Sequence, residues 1–123
     1  YRLLKVLNGV ILDSRNGLLH LIGAEPVLAE ACARYGRGSA PVTSDGEGVI
    51  RLEALLEGIH LANQRTATRL SALSAEEFSA PVMFIGREQP LGDAIFFLYF
   101  HETYHLGQLE QLRQLSGKND GVI

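Results

Sequence analysis

Apolar residues recur along this chain at helical intervals, and several stretches hold the pattern long enough to predict elements. The longest is Pro90 to Leu115, which sets Leu91, Ala94, Ile95, Leu98, His101, His105, Leu109 and Leu112 on one face. Pro90 suits a first helical turn, Asp93 lies near the positive end of the dipole, and Gly117 follows as a stop. Val49 to Leu73 predicts another helix, with Leu52, Leu55, Leu56, Ile59, Thr66, Leu70 and Leu73 turned inward. Tyr1 to Leu12 has helix-like spacing interrupted by Asn8-Gly9, which predicts a helix remnant followed by a turn. Asp13 or Ser14 would then cap a helix running to Gly36 and kinked at Pro26. Its inward stripe is Gly17, His20, Ala24, Val27, Leu28, Ala31 and Tyr35. The opening YRLLKVL reads as the interior or end of a helix, with residues expected upstream.

The connections complete the outline. Gly36 to Gly48 is rich in Gly, Ser and Pro and is long enough to cross a bundle from one end to the other. Ser74 to Gln89 is a second connection, whose VMFI run can be extended and packed along the helices. Strand-like alternation and internal repeats are absent, so residues 1–123 read as a single all-α domain of three to four helices.

Composition narrows the partners. With 46% hydrophobic and 20% charged residues, the chain is ordinary for a globular domain. A net charge of −3 without a Lys/Arg cluster argues against nucleic acid. No run reaches the length of a membrane span and no signal-peptide layout is present, so no membrane partner is expected. The single cysteine, Cys32, excludes an internal disulfide and a Cys-rich zinc site, and fits a reducing, cytoplasmic setting. It reads as a small buried hydrophobe. The glycine-rich connection lacks GxxxxGK[ST] and a preceding strand, which speaks against a phosphate loop.

The chemistry concentrates in the last helix. His101 and His105 lie one turn apart inside the apolar stripe, where two neutral imidazoles suit a divalent transition metal; the alternative is a hydrogen-bonded pair of core histidines. His101-Glu102-Thr103-Tyr104-His105 also matches HExxH, in which the glutamate is a general base. The extended form fails, because Gly107 comes one residue early and Gln111 stands where a third histidine belongs. With only a short tail after Leu115, the third ligand has to come from upstream, and His20 is the candidate. Glu102 is the candidate base, with an inter-helix ion pair as the alternative, and Gln108 can point its amide near the histidines. His60 reads as a partly exposed polar residue. Gly107 is costly inside a helix, and close approach of another helix would explain it. Phe97, Phe100 and Tyr104 form a second apolar stripe suited to core or dimer packing.

The segment FHETYHLGQLEQLRQLSGK (Phe100 to Lys118) resembles the last helix of the DinB/YfiT-like superfamily, with its H-x-x-x-H-x-G-Q pattern. NGLLHLIGAE (Asn16 to Glu25) resembles that family's second helix, and the loop from Gly86 to Pro90 also fits. The likeness extends from about Ser14 to Lys118 and departs at the N-terminus, where the family's first helix and the loop after it are shortened or absent. It implies an up/down four-helix bundle with long connections and a homodimer. It further implies a zinc or nickel site of His20, His101 and His105, completed by water or a thiolate. The implied activity is a metal-dependent transferase or isomerase working with a small thiol of the bacillithiol, mycothiol or glutathione type. A non-catalytic bundle with a structural or vestigial metal is the alternative, and an HExxH hydrolase is a third.

Overall fold

Helix α1 runs unbroken over Arg2–Leu21, straight through Asn8-Gly9, where the sequence predicts a turn. The computed structural model describes residues 2–44, 46, 48–118 and 120; Tyr1 and parts of the 36–48 connection lie outside the described residues. Two contacts keep Asn8-Gly9 helical. The Asn8 side-chain amide donates to the Leu4 carbonyl at 2.8 Å. Gly9 makes room for Tyr35, whose ring carbons lie 2.4 Å from where a Cβ would stand. The predicted start at Asp13 and the kink at Pro26 are therefore both corrected, since the helix is already two turns old at residue 9 and ends before Pro26. Its end is a Schellman cap: Gly23 adopts φ 72°, its amide donates to the His20 carbonyl, and that of Ala24 donates to Leu19.

The loop that follows is held by one side chain. Asn16 donates to the Val27 carbonyl at 2.8 Å and accepts from the Val27 amide at 2.7 Å. A short helix α2, Ala29–Cys32, and a 3₁₀ turn, Ala33–Tyr35, then cover one side of α1. Helix α3 spans Leu52–Ala72 and presses Leu55, Gly58, Ala62 and Thr66 against α1. A Cβ on Gly58 would stand 2.8 Å from Leu12, so this glycine sets the closeness of the two helices. Helix α4, Ala75–Ser79, begins in a capping box between Ser74 and Glu77.

The VMFI run is extended. Strand β1, Pro81–Phe84, pairs antiparallel with β2, Arg87–Pro90, across a two-residue turn of Ile85 and Gly86. Both turn residues have positive φ, 51° and 72°, the pattern of a type I′ hairpin. Helix α5, Leu91–Leu115, follows at once and stops at Gly117, φ 85°.

Among the described residues 67% are helical, in five α-helices and the 3₁₀ turn, beside this hairpin. The long helix α1 lies between α3 and α5 and packs on both, whereas α3 and α5 scarcely touch. The starts of α1 and α3 share one cavity with the end of α5, and their ends share another with its start, so α1 and α3 are parallel and α5 is antiparallel to them. The return along α1 is made before the 36–48 connection: Asn16 holds Val27, Gly9 meets Tyr35, and the Ile50 amide beyond the connection donates to the Tyr35 hydroxyl. Leu12, Leu19, Cys32, Leu55 and Ala94 are fully buried at the centre. Among the described residues, no helix is long and apolar enough to cross a membrane.

Candidate functional site

Helix α5 carries His101 and His105 on the half-buried face that its first turns commit to α1 through Leu91, Ala94 and Leu98. Their Nε2 atoms converge to 3.1 Å. The other nitrogen of His105, Nδ1, is 2.7 Å from Gln108 Oε1, and Gln108 Nε2 reaches toward the Tyr104 hydroxyl at 3.5 Å. That orientation makes Nδ1 the donor, so neutral His105 presents an unprotonated Nε2. That lone pair can accept a hydrogen bond from His101 Nε2–H. Burial, then the neighbouring His105, lowers the His101 pKa, which favours the neutral, ligating form of the ring. Phe97 stacks nearly parallel on His101, 8° between planes and 6.2 Å between centroids, and Phe84 meets Phe97 edge-on. Both phenyl rings line the same cavity as the histidines.

Both histidines open onto a cavity of about 590 Å³. Its other walls come from Val10, Asp13 and Ser14 of α1, from Tyr35 and Arg37, and from Phe84 and Ile85 of the hairpin. Asp13, read from sequence as a helix cap, is thus the acidic residue of this cavity, and burial raises its carboxyl pKa. Cys32 lies nearby: burial, and then the charge of Asp13, pushes its thiol up to about 11.

The remaining expected residues fall elsewhere. His20 is exposed on the last turn of α1, where a cationic ring would complement the helix dipole. The buried stripe of α1 runs through Asn8, Leu12, Asn16 and Leu19, which leaves His20 and Gly17 on the outer side. Among the described residues no group of three or more His, Cys, Asp or Glu is gathered as a metal site. Glu102 lines a separate cavity with Leu18, Thr66 and Leu70, where its carboxylate accepts a hydrogen bond from Arg15. His60 is exposed and bonds to Gln64 at 3.2 Å.

The histidine pair itself suits a metal edge. Adjacent nitrogens on a tetrahedral shell with bonds of roughly 2.0–2.1 Å lie about 3.3 Å apart, and on an octahedral shell about 2.9 Å. The observed 3.1 Å falls between these. It is also the length of the N–H···N hydrogen bond between the two rings, and Asp13 lines the same cavity. No family model, curated protein or solved structure matches the chain.

Proposed function

We propose that the protein is a DinB-like metal-binding helical-bundle protein, acting in the cytoplasm as a transferase on a small thiol or on the electrophile it attacks. The observation that carries this reading is the convergence of His101 and His105 Nε2 at 3.1 Å, with Gln108 holding the tautomer, on a cavity of small-molecule size. His101 and His105 would hold zinc or nickel; Asp13 of α1 lines the same cavity, although it is not gathered with the pair. A bound divalent cation would lower the pKa of a thiol that reaches it. The chain's own residues would do the rest. Phe97 and Phe84 pack beside His101 on the wall of the cavity, and Arg37 offers a positive charge there for an anionic group on the substrate.

Metal titration with elemental analysis tests this. One zinc or nickel per chain is expected, lost in His101→Ala and His105→Ala, and weakened about 10–100-fold in Gln108→Ala. Asp13→Asn and His20→Ala test the two candidates for a third ligand, Asp13 from the shared cavity and His20 from the family resemblance. Retention of metal in the His101→Ala, His105→Ala double variant sinks the proposal. The second reading is a non-catalytic bundle with a structural or vestigial site. What favours it is that no third ligand is gathered with the pair among the described residues.

A further inference from the structure

A second cavity lies away from the histidines, between α3 and α5 where these helices scarcely touch, with α1 beneath. It measures about 380 Å³ and shares no lining residue with the histidine cavity. Leu18, Leu70 and Ile95 make its sides apolar, and Phe96 and Tyr99, 70% and 69% exposed, form its outer edge. Arg15, Thr66 and Glu102 line the same space.

Two polar atoms on this lining are buried and unserved. Thr66 is only 4% exposed, yet among the described residues its Oγ1 has no hydrogen-bond partner. Arg15 Nε has none either, since the guanidinium reaches Glu102 through Nη2. A hydroxyl inside a helix ordinarily returns to the carbonyl one turn back. The exposed Ser71 and Thr103 do so in this chain, at 2.8 and 2.9 Å. Thr66, buried where the loss is greatest, does not. Buried donors are almost always satisfied, so two unserved ones lining a single cavity call for a partner that enters it.

We propose that this cavity binds a neutral small molecule with an aromatic body and a carbonyl-type oxygen, which accepts from Thr66 Oγ1 and Arg15 Nε. The donors define the polar group. A guanidinium has no acceptor, so its partner must accept, and a carbonyl oxygen carries two lone pairs for two donors. The charges define its neutrality. Arg15 and Glu102 already neutralise each other, and a carboxylate on the ligand would stand beside that of Glu102 with no cation left to balance it. Size and edge define the body. A dry cavity of roughly 150 Å³ takes benzene, so this one holds a ring with several further atoms. Phe96 and Tyr99 offer that ring stacked or edge-on contacts. Binding here does not depend on the metal reading, because the two cavities are separate.

Acetophenone, ethylbenzene and benzoate are probes of nearly one size that differ in the polar group: a neutral carbonyl, none, and a carboxylate. Each is titrated into methyl-labelled protein while the methyl resonances are followed. Acetophenone at millimolar concentration is expected to shift Leu70 and Ile95 saturably and to leave Val10 and Ile85 of the histidine cavity in place. It should bind at least about fivefold tighter than ethylbenzene or benzoate, the effect of a gained hydrogen bond. Thr66→Val keeps the shape of the side chain and should weaken acetophenone about fivefold, while ethylbenzene stays within about twofold. The thermal midpoint of the free protein should not fall in this variant, because the hydroxyl it removes has no partner to lose. Absence of saturable shifts, or shifts confined to Val10 and Ile85, overturns the proposal. So does equal affinity for acetophenone and ethylbenzene in the unaltered chain, a comparison that holds whatever Thr66→Val does to folding. A folded Thr66→Val that binds acetophenone undiminished overturns it as well.

Discussion

Gly9 and Cys32 both occupy close surroundings on the covered side of α1. At Gly9 a methyl group would displace the Tyr35 ring, whose hydroxyl accepts from the Ile50 amide at 2.9 Å. The loss is therefore both steric and polar. Cys32 is fully buried, with its thiol directed at the Val27 carbonyl at 3.9 Å. Burial and the charge of Asp13 raise its pKa from 9.0 to about 11. The sign follows from which form the fold disfavours. The unfolded chain releases this proton above about pH 9 and the folded chain retains it until about pH 11, so stability falls across that window as pH rises. Cys32 should accordingly resist a thiol reagent at pH 8 in native protein and react promptly in denaturant. Rapid native-state labelling at the rate of a free thiol would contradict the burial argument.

At the scale of elements, the hairpin carries an unfavourable residue at its tip. Ile85 adopts φ 51°, a region in which a branched Cβ crowds the backbone, at a cost of about 1–2 kcal/mol. A type I′ turn prefers Asn followed by Gly, and Gly86 already supplies the second position. Ile85→Asn is expected to raise the thermal midpoint by about 4 °C, corresponding to ~1 kcal/mol. Ile85 also walls the histidine cavity. If Ile85→Asn raises the midpoint and weakens ligand or metal uptake together, the unfavourable turn residue is there for the site; calorimetry and metal titration on one variant read both. The two helices α3 and α5 were legible from their apolar period, and α5 even to its ends, through Pro90 and Gly117. Helix α1 was not, because Asn-Gly is ordinarily a turn signal, and only the distant Tyr35 explains a glycine in that helix. Gly23 caps α1 after Leu21, so Ala24 to Tyr35 do not continue its stripe, and the buried face of α1 is set instead by Asn8, Leu12, Asn16 and Leu19. His20, placed inward by the sequence reading, consequently faces solvent, while Asp13 faces the cavity. The His101–His105 pair depended only on local spacing within one helix, so its placement survived.

For the whole molecule, the tie between α1 and α5 at Arg15 and Glu102 separates the competing readings of the last helix. In an HExxH hydrolase Glu102 would stand at the metal and move a proton. Here its carboxylate accepts from Arg15 across the helix interface, both side chains more than four-fifths buried, in a cavity distinct from that of the histidines. Its role is then to join two helices, and its removal leaves the Arg15 guanidinium enclosed without a counter-charge. Glu102→Gln keeps the shape but not the charge and should cost about 1–3 kcal/mol, while Arg15→Met with Glu102→Leu should recover part of that loss. Neither change should alter metal affinity beyond about twofold once the protein is folded, since neither side chain borders the histidine cavity. Urea unfolding with metal titration on the two variants gives both quantities. Loss of metal or of any catalysed turnover in Glu102→Gln, at unchanged stability, would return the glutamate to the site and the protein to the hydrolase reading. Loss of stability with metal affinity retained assigns His101 and His105 to the site and Glu102 to the frame that holds them.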